Sequence, residues 1–481
     1  MSRIVAGPFN RVEGDLEVTL DIKDGVIAKA EVTTTLYRGF EQILCGRPAA
    51  DALVIAPRIC GICSVSQSIA ASTALRNLAG GRAAPNGYLA ANLAHAAENI
   101  ADHLTHFYLF FMPDFARAEY AARSWHEETV NRFKAVSGSG SARFLPMRRR
   151  LLEVMGVVAG KWPHSLAFQP GGTTRAIDIG ERVQLASLMG EFQLFLEEAV
   201  YGVSLDTILS MATVADLEDY AAGPSGADFA LFLRLAEDLS LAKMGKGPGP
   251  LISFGAYHDS QSSLLPGGVT DVRGEIRPLD VAGISEDVAH AWFADTDRRP
   301  DHSDTMPVVA KDGAYSWAKA PRLAGSPAET GAAARLAVAD HPLIAELLRL
   351  DGGTSVRTRI VARLVETAIL VHAMQGWLRQ LRLKDEFCSH FAIPDDAVAS
   401  GLVEAARGAL GHWVSLKGGE ISRYQIIAPT TWNFSPRDAA GVAGPLEQAL
   451  AGLDTGGLGA QSAALQHVIR SFDPCMVCTA H

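Results

Sequence analysis

The chain carries two Cys-x-x-Cys pairs, one near each end: Cys60-Gly61-Ile62-Cys63 and Cys475-Met476-Val477-Cys478. Two residues between cysteines let both sulfurs face one centre, the spacing of a soft-metal site or a dithiol. Most of the 481 residues lie between the pairs, so a shared site requires the fold to bring the two ends together. Only two of the six cysteines, Cys45 and Cys388, lie outside the pairs. The sequence therefore predicts a scaffold closed around a thiolate-rich point.

The net charge of −10 leaves no basic excess to neutralise phosphates, which excludes a nucleic-acid partner. The short run Arg148-Arg149-Arg150 reads as a solvated helix face or a subunit contact. No apolar run approaches the ~20 residues of a membrane span. The start, Met1 to Pro8, is broken by Gly7 and Pro8 and does not resemble a signal peptide. A cytoplasmic location with reduced thiols is expected, and there Cys-x-x-Cys means metal or redox chemistry.

Residues 16–22 alternate apolar and polar, Asp24-Gly25 offers a hairpin turn, and residues 26–32 continue the pattern. A similar pattern returns at 412–416 and 421–427, around Lys417-Gly418-Gly419. Residues 88–111, 181–213 and 357–383 have helical spacing, with Pro113 as a stop for the first. Residues 245–330 read as loops and short strands draped over the helices. The expected class is α+β, mainly α: a large helical core with small β elements near both ends, in one domain over 1–481.

The flanks say more than the pairs. The first lies in Pro57-Arg58-Ile59-Cys60-Gly61-Ile62-Cys63-Ser64-Val65-Ser66-Gln67, the second in Ser471-Phe472-Asp473-Pro474-Cys475-Met476-Val477-Cys478-Thr479-Ala480-His481. Arg11-Val12-Glu13-Gly14 and Arg38-Gly39-Phe40-Glu41 lie upstream; Ala428-Pro429-Thr430-Thr431-Trp432-Asn433-Phe434 lies downstream. Together these motifs, in this order, resemble the large subunit of nickel–iron hydrogenases, from Arg11 to the last residue.

The resemblance implies that Cys60, Cys63, Cys475 and Cys478 bind nickel, with Cys63 and Cys478 bridging to an iron that carries carbon monoxide and cyanide. Soft thiolates suit a nickel that changes oxidation state. A four-cysteine zinc site explains the cysteines alone equally well, but not the surrounding motifs, and zinc is redox-silent. Heterolytic H2 cleavage needs a base, and Cys475 and the Arg407 guanidine are the candidates. Arg407 is the safer choice for an orienting role because guanidine is so basic. Asp102 and Asp473 match its acidic partners. Ala406 stands where the family usually has Pro, which is expected to loosen the backbone before Arg407. Glu13 matches the gate carboxylate that carries the proton away, within reach of Cys475.

By the same resemblance Glu41, His481 and the carbonyl of Phe434 hold a magnesium or similar ion with waters. Pro429 and Thr430 line the iron's diatomic ligands. Gln67 replaces a histidine common in the family, and glutamine cannot take up a proton at neutral pH. Ile62 and Phe110 stand where enzymes usually carry Val and Leu, and the larger side chains are expected to narrow a gas channel. These departures resemble the hydrogen-sensing (regulatory) subgroup; neutral core repacking is the alternative. No cysteines remain for clusters, so an iron–sulfur small subunit is the implied partner, with H2 as substrate and a sensor histidine kinase downstream in a sensor. The leading expectation is a slow, oxygen-insensitive H2 sensor. An ordinary respiratory uptake hydrogenase is the alternative, and a zinc-stapled scaffold or a relative of the complex I quinone-site subunit the second.

Overall fold

In the computed structural model, which describes residues 2–259 and 261–481, the N-terminus forms a three-stranded antiparallel sheet. Its strands are β1 (Ser2–Ala6), β2 (Leu16–Lys23) and β3 (Val26–Thr34), in that order across the sheet. Leu16, Val18, Leu20 and Ile22 alternate onto the core face of β2. Asp24 (φ 51°) and Gly25 (φ 84°) both take the left-handed conformation that a tight two-residue hairpin demands.

Five long helices build the interior: α1 (Ser64–Leu78), α2 (Pro85–Thr105), α3 (Ser139–Ala159), α4 (Ile179–Phe195) and α5 (Val356–Gln380). α2 and α5 are buried on almost every face, with buried charged groups such as Glu98, Asp102, Arg359 and Glu366 set among their apolar and small residues. Pro85 opens α2, where a missing N–H costs nothing. α2 then loosens into a wide turn, His106–Phe111, before Pro113 enters a tight turn at Met112–Ala116. The expected 181–213 helix is broken into α4, a wide turn at Leu196–Tyr201 and a short helix at Leu205–Ser210.

Residues 245–330 are mostly loops with short strands, as expected, and the longest strands form an antiparallel pair, β4 (Leu251–His258) and β5 (Ser263–Thr270). The second three-stranded sheet comprises β6 (Ala397–Ala405), β7 (Gly408–Lys417) and β8 (Glu420–Ile427), in sequence order. α1 lies directly on β6. A Cβ added at Gly401 would stand 2.0 Å from the Ala70 carbonyl, so only glycine permits this approach. This sheet, α1 and the last ten residues converge on one buried point.

Candidate metal centre

Both cysteine pairs start helices. Cys63 immediately precedes α1, and Cys475 precedes the short helix Met476–Thr479. Exposed N–H groups at such ends favour a thiolate. The four thiols, all buried, meet: Sγ atoms of Cys475 and Cys478 are 3.1 Å apart, Cys63 and Cys478 3.3 Å, Cys60 and Cys475 3.7 Å. A metal about 2.3 Å from each sulfur requires sulfurs roughly 3.3–3.8 Å apart. The sulfurs of Cys60, Cys475 and Cys478 all lie within 4.8 Å of one another with Cys63 beside Cys478, so small shifts of the two pairs would seat a soft metal. Hydrogen bonds from Cys475, Cys478 and Cys63 hold the Cys60 thiol well below its ordinary range, while Cys63 and Cys478 are driven up through their contacts with Cys475. Four thiolates cannot share this dry space unless a cation joins them.

Arg407 stands in the two-residue turn between β6 and β7. Its Nη1 lies 2.7 Å from Asp102 Oδ2 of α2, its Nη2 3.2 Å from Asp473 Oδ1, and its Nε donates to the Asp473 carbonyl at 2.9 Å. Against burial, these two carboxylates hold the guanidinium protonated far above its ordinary range. It is a fixed cation and not a base. Burial raises Asp102, whereas Arg407 keeps Asp473 low against the same burial. The looseness expected from Ala406 is not seen, because Arg335 donates to the carbonyls of Ala405 (2.9 Å) and Ala406 (3.0 Å). Glu366 and Glu404 hold Arg335 in turn, at 2.7 and 2.8 Å.

Glu13 runs beside Cys475 as a parallel bridge: its carbonyl accepts from Met476 N at 2.7 Å and its N–H donates to the Pro474 carbonyl at 3.4 Å. The backbone thus brings Glu13 to the thiols, although its carboxylate makes no hydrogen bond to Cys475 among the described residues. Burial and the charge of Cys60 raise its pKa, while Arg407 pulls the other way. Pro429 and Thr430 are buried in the short helix Pro429–Asn433. Thr430 Oγ1 accepts from Cys475 N at 3.1 Å, leaving its hydroxyl proton free to donate.

Gln67 is not placed against a sulfur. Its Oε1 lies 2.8 Å from His412 Nε2, and His412 Nδ1 lies 2.8 Å from the Tyr424 hydroxyl. Burial keeps His412 neutral, its pKa pulled down to about 3. With Nε2–H facing the Gln67 carbonyl, its Nδ1 accepts from Tyr424. Ile62 is half-buried beside the cysteines; Phe110 is also half-buried, its carbonyl accepting from Arg11 at 3.1 Å, while Phe111 is the fully buried ring. The side chain expected to plug a channel is therefore the less buried of the two.

Glu41 and His481 do meet: His481 Nε2 is 3.3 Å from Glu41 Oε1, and its Nδ1 is 2.9 Å from the Cys478 carbonyl. Phe434, the expected third ligand, closes the Pro429–Asn433 helix and does not line this cleft, whereas Ile426 does. The main chain at the site is Ile426, whose N–H donates to Glu41 Oε1 at 2.9 Å. Lys319 Nζ lies 3.2 Å from Glu41, 2.6 Å from Gln425 Oε1 and 3.5 Å from Glu286. Against burial, Lys319 and His481 hold Glu41 down to about 2. The adjoining cavity measures about 10 Å3, one water's worth. Oxygen donors already gathered around an ammonium suit a small hard cation.

Sequence reasoning missed Lys319, Glu286, Gln425, His412 and Glu98. Glu98 precedes Asp102 by one turn of α2, so both face the same side, a spacing visible in the sequence. Its carboxylate accepts from Val65 N (2.8 Å), Ser66 N (2.9 Å) and Trp162 Nε1 (3.0 Å), capping the helix that Cys63 begins.

Comparison with known proteins agrees with this geometry. A family model described as nickel-dependent hydrogenase matches residues 38–143 and 142–481. The large subunit of the periplasmic [NiFeSe] hydrogenase of Desulfomicrobium baculatum is 29% identical, covering 100% of this chain and 95% of that one. The quinone-reactive Ni/Fe-hydrogenase large chain of Wolinella succinogenes is 26% identical, covering 100% and 96%. The solved H2-activated [NiFeSe]-hydrogenase of Dm. baculatum superposes with a TM-score of 0.86 at 28% identity, covering 100% of both chains.

Proposed function

The chain belongs to the nickel-dependent hydrogenase family, and on that premise we propose that it is the active-site subunit of an H2-oxidising enzyme, a single unit over 1–481, that passes electrons to an iron–sulfur small subunit. The observation that carries the reading is the meeting of four buried thiols from opposite chain ends beside the doubly paired Arg407.

When bound, a nickel–iron centre with carbon monoxide and cyanide ligands supplies the redox chemistry of H2 cleavage. Cys60, Cys63, Cys475 and Cys478 would hold it, with Cys63 and Cys478 shared between the metals; their 3.3 Å separation suits a bridging pair. Arg407 fixes positive charge and N–H donors over the site without giving up a proton. The Cys475 sulfur accepts the proton released, and Glu13, raised by burial, takes it onward from beside Cys475. Thr430, whose hydroxyl accepts from Cys475 N and keeps its own proton to give, would donate to a diatomic ligand of the iron. Glu41 and His481, with the Ile426 segment, would hold a magnesium ion that pins the C-terminus.

The relatives favour uptake as the working role, since one is quinone-reactive by name, and this overtakes the sensor expectation. The sensor remains as a second reading because one observation favours it. The Gln67 carbonyl engages His412, so a non-titrating amide stands beside the centre where a second imidazole is usual. Among the described residues no helix is long and apolar enough to cross a membrane. A cytoplasmic site of action goes with the proposal.

The test is infrared spectroscopy and metal analysis of the purified complex. Nickel with iron, and carbonyl and cyanide bands that shift under H2, are expected; zinc without bands would sink the reading. Dye reduction by H2 then separates the roles. Rapid turnover lost in air means uptake, and slow turnover surviving air means a sensor.

A further inference from the structure

The cavity beside Glu41 and His481 has an aromatic wall that includes Tyr37, Phe293 and Trp317. Tyr37 and Trp317 stack, centroids 5.0 Å apart with 15° between planes, and Trp292 lies 5.3 Å from Trp317. Phe293 braces the stack at 5.2 Å from Tyr37 and 5.5 Å from Trp317. Main-chain bonds fix both indoles in place: Trp317 N donates to Thr34 O at 3.0 Å, and Trp292 N to Ser316 O at 3.1 Å. All three oxidisable rings are half-buried. At the inner end the cavity reaches His481, which is bonded to the Cys478 carbonyl.

Space-filling alone does not require this choice of rings, since phenylalanines serve elsewhere in the core, Phe107 with Phe232 and Phe111 with Phe115, where Tyr108 and Tyr120 pack beside them. Here tyrosine and tryptophan sit in contact, in a file that starts at the cavity wall and ends at the half-buried Trp292. The Tyr37 hydroxyl donates to Gln42 Oε1 at 3.1 Å, and burial with the nearby Glu41 charge holds its proton tightly. An amide is no base, so a hole settles on the indoles rather than on a tyrosyl.

We propose that Tyr37, Trp317 and Trp292 form a relay that drains oxidising equivalents from the thiolate centre to the surface. It rests on the redox-centre reading above. The oxidant is hydrogen peroxide that diffuses to the buried thiols. Each electron drawn through the file leaves an indolyl radical at Trp292, whose N–H proton passes to water. Two such electrons and two protons cleave the O–O bond of hydrogen peroxide to give two waters. Two solution thiols restore the indoles, each giving one electron and one proton, and pair as a disulfide. The four cysteine sulfurs are thereby spared the sulfenic and sulfinic steps.

The test adds hydrogen peroxide to the purified, reduced complex, followed by freeze-quench electron paramagnetic resonance and peptide mass spectrometry of the four cysteines. The native protein is expected to show a neutral indolyl radical and little sulfur oxidation. Trp292→Phe should move the hole to Trp317. Trp317→Phe should lose the radical and accumulate sulfinic acid at the cysteines. Should Trp317→Phe fail to fold, the Trp292→Phe spectrum decides alone, since an unchanged signal overturns the relay. An indolyl radical persisting without both tryptophans, or equal sulfur oxidation in native and Trp317→Phe protein, also overturns it. Infrared bands recorded on the same samples separate the two levels. Bands present with unchanged sulfur oxidation defeat the relay only, while absent bands defeat the hydrogenase reading and the relay with it.

Discussion

At the scale of the residue, Arg407 is where charge, burial and position are most tightly joined. It is the cation between Asp102 and Asp473, all three buried. Arg407→Ala leaves two carboxylates in a dry site without a counter-charge, at a cost of about 3–5 kcal/mol in stability. Arg407→Lys keeps the charge but loses the fork that binds Asp102 and the Asp473 carbonyl together. It is expected to fold with a smaller loss while shifting the infrared bands, so denaturation midpoints and spectra together separate charge from geometry. The same residues show what sequence reading can reach. The four cysteines were legible from their spacing, whereas Arg407 and its two aspartates were reached only through the family resemblance. Phe434 was misplaced for Ile426 because choosing a carbonyl requires knowing which strand passes the site, and no side-chain type announces that. Lys319 was invisible for the same reason: its partners Glu41, Glu286 and Gln425 come from other parts of the chain.

At the scale of the element, α1 decides how Cys63 is presented, and it is held at its start and along its length. Glu98 caps its first turn, and burial raises that carboxyl from 4.5 to about 7 despite four hydrogen bonds that oppose the rise. The folded state therefore binds this proton more tightly than the unfolded chain. Its contribution is fully present below pH about 4.5 and is lost as pH rises through about 7. Every tenfold difference in proton affinity between the two states corresponds to about 1.4 kcal/mol. Glu98→Gln should flatten that decline, seen as a weaker fall in denaturation midpoint between pH 4.5 and 8; an unchanged slope would assign it elsewhere. Farther along, α1 rests on β6 at Gly401, where a Cβ would also meet Ala74 N at 2.5 Å. Gly401→Ala must lift the helix and is expected to cost about 1–3 kcal/mol and to lower nickel occupancy by metal analysis. Neither α1 nor β6 was read from the sequence. Their residues are small and buried on several faces, Ala70, Ala71 and Ala74 against an alanine-rich strand, so no apolar–polar contrast marks a period. The hairpin β2–β3 was legible because one of its faces is wet and its turn is Asp-Gly. The helical stretch 88–111 was legible by length, although the wide turn at its end was not.

At the scale of the whole molecule, the chain ends are joined by few regular bonds. Glu13 pairs with residues 474–476, Arg38 donates to the carbonyls of Val477 (2.5 Å) and Ile59 (2.6 Å), and Thr431 donates to the Thr479 carbonyl at 2.9 Å. Among the described residues no strand ladder carries the C-terminal residues into the core; one backbone bridge and individual side chains do. The helical core is different, since α2 and α5 bury continuous apolar surface that owes nothing to the sulfurs. A metal bound by Cys63 and Cys475 closes a loop spanning most of the chain. Loop closure on that scale is worth about 6 kcal/mol in the chain-entropy model, and it grows only slowly with further length. Removing the metal should therefore loosen the ends without melting the core. Hydrogen exchange of the stripped protein is expected to rise sharply at 475–481 and at 11–14, with α2 and α5 still protected. The unfolding midpoint should fall as well. Uniform loss of protection would mean that the ends and the helical core form one cooperative unit. Protection unchanged at 475–481 would mean that the side-chain ties alone keep the ends together, and that the four thiols are brought into contact before any metal arrives.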